Sequence, residues 1–294
     1  MSYNQCMRRR RDILCLCSIL FPLLAGCTRP AEPAIYLATA GVAPSPDVSA
    51  LASVLNAAVT PDGSVRLPEL VKTQDDLQRQ LRLFAVTGPS ATPGQFGVSE
   101  QVVAYWYNVR MAWSLELARR AECEKADPTL LRRTSFPVDG RRMSVDCIDE
   151  LLVGLSRQEG DFRIAACAPG AWLDDAPLPN RPFVAADLFT RQQEMLNRLV
   201  LNEKHFVISI EQQSVYVPSL LWRVRDVLLA EYTRQYGPGG TVVVALKSWL
   251  SPLACVRLEN ALGYRVVEQS ARDALAIQGR MMYMPGNIGK VEVD

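Results

Sequence analysis

The stretch from Ser99 to about Glu122 reads as one long helix, and it limits the architecture more than any other segment. Val102, Trp106, Val109 and Trp113 recur at intervals of three and four residues, the spacing that gathers side chains on one helical face. Ser99 stands where an N-cap hydroxyl belongs. Two tryptophans and two valines make a wide apolar stripe that other elements must cover, so the chain should build its core around this helix.

The candidates for that cover are mostly helical. Val48 to Ala58 reads as a short apolar helix, followed by a turn at Asp62-Gly63. Glu69 to Ala85 continues as a helix, with Leu70, Leu77, Leu81 and Phe84 on one side. Ser144 caps a helix whose apolar side carries Val145, Ile148, Leu152 and Leu155. Asp187 to Leu201 is helical, and Ser219 caps a helix to about Tyr236. Ser251-Pro252 opens another, which Gly263 ends. His205 to Ile210 and Val215 to Val217, joined through Gln212-Gln213, read as a β-hairpin, and Tyr264 to Glu268 as a late strand. With 49% apolar residues there is ample material for a core. The expectation is an α+β fold, a helix-rich single domain over residues 48–294 with a small antiparallel sheet.

The first 26 residues do not belong to that domain. Arg8 to Arg11 form a positive block, and an apolar run from Ile13 to Ala25 follows, broken only by Ser18 and Pro22. A membrane span needs about 20 apolar residues, so this shorter run has the layout of a signal peptide. It ends in Leu24-Ala25-Gly26-Cys27, which resembles the lipobox of bacterial prolipoproteins. Cleavage before Cys27 and lipidation of its thiol are expected. Residues 27–47, with Pro30, Pro33, Pro44 and Pro46, read as an extended tether. Thr28 stands where lipoproteins retained in the inner membrane of Gram-negative bacteria often carry aspartate, which favours the outer membrane, facing the periplasm.

Four of the 32 basic and one of the 31 acidic residues leave with the signal, so 28 face 30 and the mature charge is near −2. That is neither the basic field of a nucleic-acid binder nor a polybasic membrane patch. The expected partners are the membrane, through lipidated Cys27, and an envelope protein or cell-wall ligand.

Several short motifs, in order, resemble the bacterial family called domain of unknown function 547. Tyr105-Trp106-Tyr107-Asn108 is similar to its signature helix, and Asp62-Gly63-Ser64-Val65 to its early glycine turn. Ser144-Val145-Asp146-Cys147-Ile148-Asp149, Asp161-Phe162-Arg163-Ile164 and the segment from Ser219 to Asp226 resemble three further motifs, so that the likeness covers roughly residues 55–275. The family's histidine and cysteine positions are changed: Glu150 and Ala165 stand for its two histidines, Gly170 and Asp175 for its two cysteines in an ungapped alignment, and Met111 for its second signature asparagine; a local gap would instead bring Cys167 to the place of the first cysteine. The resemblance implies no defined activity.

Chemistry-bearing residues are sparse. The chain has one histidine, His205, which leaves no multi-histidine metal site and no basis for a cofactor. Cys123, Cys147, Cys167 and Cys255 remain after Cys27 and the signal cysteines. No Cys-x-x-Cys occurs, and buried free thiols are expected rather than two disulfides. A cysteine nucleophile needs a base, and the one pair available is Cys167 with His205, oriented by Asp149 or Glu150; a histidine facing solvent at a strand edge is the plainer expectation. Asp174-Asp175 lies among Pro169, Gly170, Pro177 and Pro179, where it could bind a cation or sugar hydroxyls or simply form a solvated turn. Trp172 and Asn108 are further candidate binding residues, while Trp222, beside Leu221, reads as core. A domain that binds without catalysis is expected; the alternative is a thiol-dependent hydrolase or transferase using Cys167 and His205.

Overall fold

The computed structural model describes residues 46–269 and 274–279. The signal segment, Cys27 and the tether before Pro46 lie outside the described residues.

The long helix is the axis of the domain. It spans Ser99–Cys123 (α4), and every residue from Val103 to Ala118 is buried. The stripe expected on one face is therefore an entire circumference. Around α4 pack helices Leu67–Lys72 (α2), Gln74–Val86 (α3), Pro128–Arg133 (α5) and Val145–Glu159 (α6). Helix Ser49–Ala58 (α1) lies on α3, where Gln80 takes the Leu51 N–H (3.2 Å) and donates to Asp47 O (3.0 Å). Ser99 does not cap α4. The cap position is Val98, and the Gln101 side chain accepts the N–H groups of Gly97 (2.7 Å) and Val98 (3.3 Å).

Burial of the stretch from Val103 to Ala118 presses its polar side chains to find partners, since an unpaired buried polar group is costly; Trp113 Nε1 is the exception. Glu116 accepts from the guanidinium Nε of Arg119 (3.0 Å) and of Arg120 (2.7 Å), and Ser114 donates to Met111 O (2.9 Å). Tyr105 donates to Thr87 O (2.6 Å), while Tyr107, Asn108 and Arg110 all reach toward residues 163–183.

Two expected helices are each divided. Glu69 to Ala85 breaks at Thr73, whose hydroxyl donates back to Glu69 O (2.9 Å) and separates α2 from α3. Ser219 to Tyr236 breaks at Val224 into Ser219–Arg223 (α9) and Arg225–Tyr236 (α10). Ser219 is not the cap there, because its hydroxyl donates to Glu268 Oε1 (2.7 Å). Ser144 does cap α6, accepting the Cys147 N–H (3.2 Å), and Ser251 caps Pro252–Glu259 (α12). α12 ends at Asn260, before Gly263. Arg163–Ala166 (α7), Leu188–Leu201 (α8) and Val242–Lys247 (α11) complete the helices among the described residues.

A hairpin of Phe136–Val138 (β1) and Arg141–Met143 (β2) turns at Asp139-Gly140, both with positive φ. The expected hairpin, Val207–Ser209 (β3) with Ser214–Val217 (β4), is antiparallel, with Val207 opposite Tyr216. The late strand, Arg265–Glu268 (β5), adds to β4 in parallel, Ser214 opposite Arg265. The fold is a helix-rich α+β domain with two small sheets.

The feature that organises the site is irregular. From Phe162 to Pro179 every residue is buried, although past α7 the chain is neither helix nor extended sheet. Loops usually run over the surface, where water satisfies their backbone; this one must be satisfied from within. Part of the pairing comes from residues 274–278. Leu173 N–H donates to Ala274 O (3.0 Å), Ala276 N–H to Ala171 O (2.8 Å), and Val65 N–H to Ala276 O (2.6 Å). Gly63, at φ +90°, lies under the same loop, where a Cβ would sit 2.6 Å from the Pro177 Cβ.

Candidate functional site

Three side chains from one turn of α4 supply more of this pairing. The Tyr107 hydroxyl lies 2.8 Å from Ile164 O and 3.0 Å from Arg163 O, to which it can donate, and accepts from Gln192 Nε2 (3.1 Å). Asn108 forms a two-bond ring with Phe183: its Nδ2 donates to the carbonyl and its Oδ1 accepts the N–H, both at 2.8 Å. Arg110 donates from Nε to Asp149 Oδ1 (2.7 Å), from Nη1 to Pro169 O (2.7 Å), and from Nη2 to Asp175 Oδ1 (2.6 Å).

Arg132 of α5 enters the same space. Its Nη2 donates to Asp149 Oδ2 (2.7 Å), and its Nη1 lies 3.2 Å from Asp174 Oδ1 and 3.4 Å from Asp175 Oδ1. The guanidinium carbon stands 4.9 Å from the Trp172 ring centroid. All five charged side chains are at most 4% exposed. Two guanidinium groups thus face three carboxyls in a closed cluster, with Asp146 of α6 at its rim, 3.3 Å from Arg132 Nε.

One negative charge is in excess, and the carboxyls divide accordingly. Burial pushes Asp174 up to about 7, with Asp175 and Asp149 adding to it against the pull of Arg132. Burial acts on Asp175 too, but Arg110 and Arg132 outweigh it and hold that carboxyl below its usual range. Asp174 Oδ2 has no hydrogen-bond partner. Asp174-Asp175 is therefore no solvated turn, and Trp172, fully buried, offers no face to a ligand. Asp149 does not lie on the exposed side of α6 either; its neighbour Glu150 does, paired with Arg223 at 2.6 Å.

Cys167 and His205 are each committed elsewhere. The thiol is fully buried and donates to Gln192 O (3.3 Å), and burial pushes it well above the ordinary thiol range. His205 is 1% exposed, so it is a buried residue and not a solvent-facing strand edge. Its Nδ1 lies 2.8 Å from Asp175 O. A carbonyl only accepts, so Nδ1 carries the proton and Nε2 the lone pair. Burial lowers this imidazole to about 4, which keeps it neutral at physiological pH. No hydrogen bond joins thiol and imidazole. Cys123 and Cys147 are exposed and Cys255 is half-buried; all four are free thiols, of which Cys167 alone is buried.

Two cluster members, Arg110 and Arg132, were not among the expected site residues. A signal existed for the first: Arg110 interrupts the apolar run Val102 to Trp113 on a helix with no exposed side to receive it. Arg132, one of two arginines closing α5, carries no such mark. Among the described residues no group of His, Cys, Asp and Glu is arranged to hold a metal ion.

Open space lies elsewhere. A narrow pocket of about 80 Å³ is walled by Val48, Phe84, Phe96, Tyr105, Phe183 and Val184. A groove of about 260 Å³ between α1 and residues 181–191 shares Val48 and Val184 with it. A third cleft, of about 450 Å³, runs between the end of α6 and α10, with Arg157, Asp226, Glu231 and Arg234 along it.

No family model matches the chain, and no similar protein is found among curated sequences or solved structures.

Proposed function

We propose that the chain is a lipid-anchored bacterial envelope protein, cleaved before Cys27 and held through that residue to a membrane, the outer membrane by the identity of Thr28. Its domain binds a partner and does not catalyse. The observation that carries the second half is the closure of the Arg110–Arg132–Asp149–Asp174–Asp175 cluster. In the ungapped alignment to the domain of unknown function 547 family, Asp175 and Gly170 occupy the places of that family's cysteines. Here one is an ion-pair partner of Arg110, and the other leaves room for that pair. We regard the chain as a diverged member of that family in which the motif residues Tyr107, Asn108 and Asp149 serve to seal a buried loop.

A thiol mechanism finds no support in this arrangement. A nucleophilic cysteine needs a thiolate and an adjacent base, whereas Cys167 is a buried thiol of raised pKa and its partner is a carbonyl. The proline-rich loop, being buried, cannot present a binding surface. The groove between α1 and residues 181–191 can.

The anchor is tested by mass spectrometry of the protein extracted from its own membranes. A diacylated N-terminal Cys27 is expected, and Cys27→Ser should move the protein to the soluble fraction. An unmodified N-terminus beginning elsewhere would overturn the anchor. For the domain, substitution of Cys167 by alanine should leave partner capture from those membranes unchanged; loss of capture in a folded variant would return the thiol to the function.

A further inference from the structure

We infer that the pocket and groove between α1, α4 and residues 181–187 receive an acyl chain of an anionic phospholipid from the membrane to which the chain is tethered. This rests on the anchored reading above and names the ligand of its binding surface.

The pocket's lining selects hydrocarbon. Three phenylalanines, Phe84, Phe96 and Phe183, line it with Val48 and Val184, and its polar side chains are already engaged. Tyr105 OH donates to Thr87 O (2.6 Å), Gln101 holds the α4 cap, and both ends of the Asn108 amide are bound to Phe183. A sugar or a peptide backbone would enter and leave its own polar groups unpaired, at a cost that hydrocarbon avoids. The adjoining groove supplies length, through the shared wall of Val48 and Val184.

The mouth carries a positive charge in excess. Arg191 is buried, held by the carbonyls of Pro182 and Arg181, with Phe183 under its guanidinium at 4.4 Å. Arg181 is 62% exposed and faces Asp187 only at 4.0 Å. An exposed guanidinium beside an apolar slot suits a phosphate headgroup whose chain enters the slot.

The tether brings the mouth within reach of a bilayer. Pro46, the first of the described residues, itself lines the pocket. The 19 Cα–Cα steps from Cys27 to Pro46 span at most about 65 Å when extended.

The test is photo-crosslinking of the full chain in vesicles whose phospholipid carries a diazirine near the end of one acyl chain. In phosphatidylglycerol vesicles, adducts should concentrate on Val48, Phe96 and Val184. Ala185→Trp, which fills the mouth, should reduce them at least five-fold, and Arg181→Glu, at an exposed site, about three-fold. Adducts scattered over the surface, or unchanged in both variants, would overturn the inference, as would equal labelling in pure phosphatidylcholine. Crosslinks joining two protein chains at Val184 would assign the groove to self-association instead. The Cys27→Ser chain, added to vesicles from solution, separates the two readings. Groove labelling there together with an unmodified native N-terminus sinks the anchor alone; a lipidated native N-terminus with an unlabelled groove sinks the lipid site alone.

Discussion

Arg110 reaches from the middle of a fully buried helix to hold Asp175 at 2.6 Å, on a loop 65 residues further along the chain. The pair stands at the centre of a cluster that no water reaches directly, and its energetics follow from that isolation. A buried ion pair is weak evidence for stability in itself, but breaking one side leaves an uncompensated charge.

Replacing Arg110 with methionine keeps the volume and removes the cation, stranding Asp149 and Asp175. A loss of about 3–5 kcal/mol is expected, read as a fall in the denaturation midpoint with an unchanged slope. An exposed pair such as Lys72–Glu69 should show almost no effect when broken, since surface ion pairs contribute about 0–1 kcal/mol.

Asp174 and His205 give stability two opposing pH dependences. The Asp174 carboxyl is raised in the folded state, which therefore holds a proton that the unfolded chain has released; this favours folding at low pH and fades as pH climbs to about 7. His205 is lowered to about 4, so the unfolded chain binds a proton that the folded one refuses, and stability rises with pH through the ordinary histidine range. Asp174→Asn should remove the first slope. Chemical denaturation at pH 5 and pH 8 should show the variant gaining on the parent as pH rises; a constant difference would contradict the buried excess charge.

Thiol accessibility separates the four cysteines of the domain. In the native protein Cys123 and Cys147 should react with a maleimide within minutes, and Cys255 more slowly. Cys167 should remain unlabelled until denaturant is added, as a buried thiol of raised pKa must. Peptide mapping after timed labelling reads this directly.

Gly170 tolerates no side chain. A Cβ there would fall on the Asp175 carboxylate and the Arg110 guanidinium. Gly170→Ala is expected to destabilise by about 1–3 kcal/mol as an overpacked core site. The same change at Gly154, where nothing lies within 4 Å on an exposed helical face, should stabilise slightly. The contrast in melting temperature checks both.

What could be read from the sequence is what local physics decides. The apolar periods located α1, α4, α6 and α8 to within a residue or two, and Ser144 and Ser251 announced their helices because a cap needs only its own first turn. The parallel docking of β5 on β4 was not legible, since 47 residues intervene, 218–264, and nothing in Arg265 to Glu268 names its neighbour. The acidic loop misled for a related reason. Asp174-Asp175 among prolines has the composition of a solvated turn, and only the arrival of Arg110 and Arg132 from two separate helices makes it interior. The cluster as a whole was hidden because its members come from α4, α5, α6 and the loop, and nothing local to any one of these stretches says that the four meet.

The buried loop also sets an order of events. Its backbone is paired by side chains of α4 and by the extended residues 274–277, so it can be sealed only when both are present. Because synthesis runs from the N-terminus, the central charges cannot be sealed until residue 277 has emerged. Completion of the core is then coupled to near-completion of the chain, and a chain stalled short of that point would present an unfinished interior to any protease it meets.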